Sequence, residues 1–219
     1  MKHKNLQFAV IGLGRFGTSM TIELSRMGYD VLAIDNNEDI IHGIADIATH
    51  AVEADAMDEE ALKSLGVRNF DVVIVSIGEN IQANILATII LKEMGVKRVV
   101  AKAQNSLHGK VLEKLGAEVI FPERDMAVKV ARSLVSENIL DQIELSPEYG
   151  IMELMTPKSF VNQNLAEVDL RKKTGATILA IKHGEEIIVA PRATQAISAG
   201  DILVALGKYE HLHRLSEID

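Results

Sequence analysis

The sequence predicts an α/β protein: a doubly wound parallel sheet followed by a small C-terminal α+β lobe. Three observations carry this. From Leu6 to about Phe121, short runs rich in Val, Ile and Ala alternate with stretches of helical periodicity, as strands do when crossover helices bury them on both faces. A glycine cluster, G-L-G-R-F-G from Gly12 to Gly17, joins the first such run to the first helical stretch. From Ile151 the pattern changes to apolar runs joined by a short turn, the mark of an antiparallel hairpin.

Taken in order, the strand runs are FAVIG, DVLAID, THAVEAD, DVVIVSIG, RVVAKAQ and AEVIFP. Between them, residues such as Ile85 and Ile89 with Leu86 and Ile90 repeat at helical spacing. Pro122 suits the first turn of a further helix, and Ala127, Val130, Ala131 and Leu134 line one face of it. The polar segment DQIELSPEYG, with its proline and glycine, reads as a linker. This divides the chain into a first domain with its crossover helix (1–138), a linker (139–150) and a second domain (151–219). The second domain starts with a short helix from about Leu165 to Lys173. Two strands around a His183–Gly184 turn follow, then a last strand, GDILVALG. A lobe of roughly 70 residues has a marginal core, so pairing of two copies is expected to support it.

Composition narrows the function. With 219 residues, 47% of them hydrophobic, the chain can build one large core or two smaller ones. A formal charge of −8 argues against a nucleic-acid partner, which calls for a basic face. There is no cysteine, which removes disulfides, thiol nucleophiles and cysteine metal sites and suits a reducing compartment. The start, MKHKNLQFAVIGLG, has the basic and apolar pattern of a signal peptide. Arg15 interrupts it, however, and it reads as a strand and turn. No apolar stretch reaches the ~18 residues of a membrane span.

The glycine loop carries the chemistry. Gly12, Gly14 and Gly17 have the spacing that lets backbone approach a phosphate at a helix N-terminus, as in Rossmann-like folds. Asp35, at the tip of the next strand run, stands where a carboxylate accepts hydrogen bonds from ribose hydroxyls; the competing reading is a cap on the helix that follows. No arginine follows Asp35, which disfavours a 2′-phosphate and so NADP. Arg15 can fork onto terminal phosphate oxygens; a solvated arginine at the helix start opposes the helix dipole. Catalytic residues are scarcer. Ser76 and Glu79 offer no evident general acid, no Tyr-x-x-x-Lys pair is present, and His50 and His108 stand isolated.

VIGLGRFG, LAIDNN, VVIVSIGENIQAN and VVAKAQN, followed by VLEKLGAEVIFPERDMA, together resemble the regulator-of-potassium-conductance (RCK, or KTN) family. The likeness is greatest to the cytosolic regulatory subunits of Ktr- and Trk-type potassium transport systems, and it spans almost the whole chain. It implies a non-enzymatic gating subunit whose dimers assemble into an octameric ring. That ring sits peripherally on the cytoplasmic face of a separate membrane protein that moves potassium. It implies ATP or ADP in the first domain, held by Gly12, Gly14, Arg15, Asp35, Asn36, Asn37, Asp55, Ala56, Ser76, Ile77, Gly78, Lys102, Gln104, His108 and Glu123. Asp55 departs from relatives that carry an uncharged residue there. Glu123 is implied as the ligand of a divalent or monovalent cation. A lone carboxylate holds such an ion poorly, so the site calls for symmetry mates or phosphate oxygens. Cyclic di-AMP is implied between two C-terminal lobes, with Arg171 on a phosphate and Pro191 against a base. From the residues alone, Lys102 reads either as a phosphate counter-charge or as a strand-end lysine in water, and Glu123 as a carboxylate favoured by a helix dipole. An NAD-dependent oxidoreductase and an NAD(H)-sensing regulator of the same fold are the alternatives.

Overall fold

A computed structural model describes residues 6–135 and 138–218. The chain forms two compact units, residues 1–125 and 126–219.

The first unit alternates strand and helix throughout: β1 Gln7–Ile11, α1 Arg15–Arg26, β2 Asp30–Asp35, α2 Glu38–Ile44, β3 His50–Glu53, α3 Glu59–Ser64, β4 Val72–Val75, α4 Ile81–Glu93, β5 Val99–Lys102, α5 Ser106–Lys114 and β6 Glu118–Ile120. α6, Pro122–Val135, contains the boundary between the units. All six strands are parallel, in the order β3-β2-β1-β4-β5-β6. This is the doubly wound, Rossmann-like arrangement that the alternating runs predict. The period of two along each strand splits its residues between two cores. Ala9, Ile11, Leu32, Ile34, Val73 and Val75 pack with Leu62 of α3, Ala87 and Leu91 of α4 and Leu112 of α5. Val10, Val31, Ala33, Val72 and Ile74 pack on the other face with Ile41 and Ile44 of α2. The order reverses between β1 and β4, so a crevice opens at the carboxyl ends of these strands, beside the glycine loop.

The second unit contains β7 Ile139–Glu144, β8 Tyr149–Met155, α7 Leu165–Val168, α8 Leu170–Thr174, β9 Thr177–His183, β10 Glu186–Val189, β11 Ile202–Lys208 and α9 Tyr209–Ser216. Its sheet is antiparallel, in the order β10-β9-β11-β8-β7. One face carries the core: Met152, Leu154, Ile181, Leu203 and Ala205 lie against Val168, Leu170, Leu212 and Leu215.

Two local expectations differ from what forms. The segment read as a linker, 139–150, supplies β7, which pairs with β8. Its Ser-Pro pair is the hairpin turn, where the Ser146 hydroxyl accepts hydrogen bonds from the backbone N–H of Glu148 and Tyr149 at 3.3 and 3.1 Å. The helix expected from Leu165 to Lys173 is two short helices, because Asp169 adopts a left-handed conformation (φ 48°, ψ 46°) between them. On α6 the apolar positions Ala127, Val130, Ala131 and Leu134 are exposed.

Candidate functional site

The loop after β1 is held by contacts that leave little freedom. Gly12 has φ +87°, and a Cβ there would lie 2.9 Å from the Ile77 nitrogen, so the first glycine is required both by conformation and by space. At Gly17, in the first turn of α1, a Cβ would meet the Gly12 carbonyl oxygen at 2.0 Å. The third glycine therefore lets the helix close on the loop. The Ser76 hydroxyl, beyond the end of β4 and buried, donates to that same carbonyl. Ser76 thus buttresses the loop from beneath, a role its place among the expected ligand contacts does not reveal. Gly14 is the opposite case: nothing lies within 4 Å of where its Cβ would be. It is also the N-cap of α1, which has no side-chain cap and no acidic residue in its first turn. By contrast, α2, α3, α4 and α5 are capped by Asn37, Asp58, Asn80 and Asn105. Such an open helix end presents unpaired N–H groups to an anion. Arg15, exposed, is its first residue.

Asp35 is not the cap of α2; Asn37 is, through bonds to the N–H of Asp39 and Ile40. Asp35 instead accepts from Leu13 N at 2.6 Å with one carboxylate oxygen and from Asn37 N at 3.0 Å with the other. It ties the glycine loop to the tip of β2 while lone pairs remain for further donors. Asn36 beside it is exposed. Asp55 closes its own turn by accepting from Met57 N at 2.9 Å, with Ala56 buried next to it. This turn adjoins Asp35, whose carbonyl accepts from Ala54 N.

The ends of β4 and β5 complete the crevice. Asn84, wholly buried in α4, donates to the carbonyls of Ile77 (2.8 Å) and Lys102 (3.1 Å) and so pins the two strand ends together. Sequence reasoning passes over it. The one available signal is a polar residue inside the apolar run IQANILATIIL. Lys102 is not a lysine in water: only 13% of its side chain is exposed. Its ammonium pairs with Glu123 and stands 5.9 Å from the centre of the Phe16 ring in α1. A Cβ on Gly78 would lie 3.5 Å from it. The hydrogen bond from Lys102 holds the Glu123 carboxyl below the usual carboxylate range, and the charge of Arg15 acts in the same direction. Gln104 donates its N–H to His108 Nδ1 at 3.3 Å, which leaves the proton on Nε2. Burial lowers the pKa of His108 and keeps it neutral, and among the described residues Nε2 has no hydrogen-bond partner. Among the described residues no three His, Asp or Glu side chains gather as a metal site.

The glycine loop, Asp35, Ser76, Ile77, Gly78, Lys102 and Glu123 therefore surround one crevice. Arg171 and Pro191 belong to the second unit. Arg171 is exposed on α8, and Pro191 is half-buried after β10. A cavity of about 450 Å³ in the second unit is lined by Leu145, Tyr149, Gly175, Thr177, Leu206, Gly207, Lys208 and His211, and includes neither.

Comparison with known proteins agrees with this architecture. Residues 8–123 match the TrkA-N domain and residues 151–218 the TrkA-C domain. The chain belongs to the TrkA-N/TrkA-C family. It is 50% identical over 212 residues to two Bacillus subtilis proteins, Ktr system potassium uptake proteins C and A, with 96% of each chain covered. In three dimensions it is similar to the GsuK channel (TM-score 0.70, 17% identity), matching along its full length but spanning 40% of that larger chain. The match to TrkA-N runs from β1 to Glu123, and so includes every residue of the crevice.

Proposed function

We propose that this TrkA-family chain is a nucleotide-sensing regulatory subunit of a Ktr-type potassium uptake system, and that its crevice takes ATP or ADP. The relatives' names support the potassium role. The observation that carries the ligand assignment is the Lys102 ammonium, largely buried next to Gly78 and the first turn of α1. With the open N-terminus of α1 and Arg15, it makes a cationic end to a crevice whose other end holds Asp35. Such polarity suits a ribose at one side and oxyanions at the other. A dinucleotide uses the same loop, but the charged Lys102–Glu123 pair at this end of the crevice favours oxyanions. Among the described residues, neither Ser76 nor His108 is available to hydride chemistry as an acid or base. The Ser76 hydroxyl is spent on Gly12 and His108 is buried and neutral.

In this reading the residues orient and discriminate the nucleotide, and no bond is made or broken. Control is a population shift between assemblies that bind one nucleotide better. Moving such an equilibrium from 1:99 to 99:1 takes about 5.5 kcal/mol of differential affinity, which eight sites of an octameric ring share in amounts below ~1 kcal/mol each. The subunit then acts at the cytoplasmic face of the membrane through a potassium-translocating partner. Glu123 meets a cation there only with the help of phosphate oxygens or another chain. Cyclic di-AMP control through paired C-terminal units, with Arg171 as the exposed cation for its phosphate, belongs to the same proposal.

Calorimetric titration at fixed salt with ATP, ADP, NADH and cyclic di-AMP tests it. The expected result is binding of ATP and ADP at one per chain and of cyclic di-AMP at one per two chains. Tight binding of NADH with none of ATP overturns it.

A further inference from the structure

We propose that Glu123 is a built-in competitor for Lys102, holding the phosphate-binding ammonium when no ligand is present and yielding it when a phosphate arrives. This rests on the nucleotide reading above. The two partners of the pair are unequal: 13% of the Lys102 side chain is exposed against 69% of the Glu123 side chain. A mostly buried ammonium needs a counter-anion, whereas an exposed carboxylate regains its hydration on release. Lys102 is the last residue of β5; Glu123, second residue of α6, has solvent on its exposed side into which its carboxylate can turn. Of its neighbours, Arg124 pairs with Asp125 at 3.1 Å and stacks on Phe121 at 4.0 Å, while the charge of Arg15 still acts on Glu123. Released Glu123 still lies in the first turn of α6, where a negative charge is favoured.

The anion that displaces Glu123 is an oxyanion of a nucleoside di- or triphosphate on the glycine loop, since the ammonium faces Gly78 and Phe16. Ligand charge is thereby exchanged for a freed carboxylate at the start of α6, the helix that contains the boundary between the two units. Affinity for phosphate is lowered by whatever Glu123 gains from Lys102.

The test is titration of the full chain with ADP in EDTA, comparing the parent with Glu123→Gln, Lys102→Met and the double variant. Competition predicts that Glu123→Gln binds ADP about three- to tenfold more tightly, that Lys102→Met binds it at least tenfold more weakly, and that Glu123→Gln gives no gain in the Lys102→Met background. If the gain persists there, Glu123 acts by simple repulsion and the exchange is wrong. Unchanged or weaker binding by Glu123→Gln also overturns the exchange while leaving the nucleotide reading intact. Undiminished ADP binding by Lys102→Met removes the nucleotide reading at Lys102 itself. Lys102→Gln repeats the comparison should Lys102→Met not fold.

Discussion

The two units solve the same problem with different completeness. The parallel sheet of the first buries Val72, Val73, Ile74 and Val75 in succession, because helices cover both of its faces. Among the described residues, the antiparallel sheet of the second packs α7, α8 and α9 against its core face. Ile143, Met155, Ile187 and Val189 remain 58%, 37%, 57% and 74% exposed on its strands. A unit with two cores supports a crevice whose polar groups are positioned by the fold alone. A unit with one core has apolar surface left over, the usual mark of an interface.

The largest expected effects test the cores. Leu91 and Leu203 are both fully buried, and truncation to Ala is expected to cost about 2–5 kcal/mol in either place. Leu203→Ala should lower the melting temperature while ADP affinity at the glycine loop is retained; Leu91→Ala, in the core that supports the crevice-bearing sheet, should lower both. Loss of ADP binding in Leu203→Ala would join the units more closely than their separate cores indicate.

Next comes the open end of α1. Arg15→Ala should weaken ATP more than AMP, by about 1.5–3 kcal/mol for a charge-assisted bond. Equal losses measured by calorimetry would remove the terminal-phosphate role. A capped helix of the same unit is the control: Asp58→Ala, at the cap of α3, should cost about 0.5–2 kcal/mol of stability in denaturant titration, with smaller effects on nucleotide affinity.

The two perturbed histidines give the finest comparison, because they carry opposite signs. His108 is buried with its pKa lowered. The unfolded chain binds the proton more readily, so the first unit loses stability as pH falls from about 6.5 toward the folded value. His183 pairs with buried Asp201 at 2.7 Å, and this raises its pKa, with Glu186 adding to the effect. Its contribution is complete below about 6.5 and is lost as pH rises through the folded value. Asp201 also accepts from Ser198 N at 2.8 Å, so this pair fastens β9 to the loop before β11. NMR titration should place His183 above and His108 below the ordinary value, and His183→Gln should remove the alkaline loss in the second unit. A downward shift of His183 would break the contrast.

Much of this was legible from residues alone. The six strand runs, the glycine loop and the change of pattern at Ile151 are local signals, because continuous apolar runs and glycine spacing act over a few residues. Even so, β7 was hidden in a polar segment. Its pairing with β8, not its composition, makes it a strand. The identities of Asp35, Ser76, Lys102 and Glu123 as crevice residues were accessible through their likeness to a family, whereas their partners were not. Gly12 and Ser76 are 64 residues apart, and Lys102 and Glu123 are 21 apart. They meet only because parallel pairing sets β1 against β4 and β5 against β6, with every carboxyl end on one edge. The same holds for Asn84, whose two carbonyl partners come from adjacent strands. Local sequence determined which segments of the first unit are strands and where the glycine loop lies between β1 and α1. Strand order, a long-range outcome of burying both faces of the sheet, decided which hydroxyl supports the loop and which carboxylate holds the lysine.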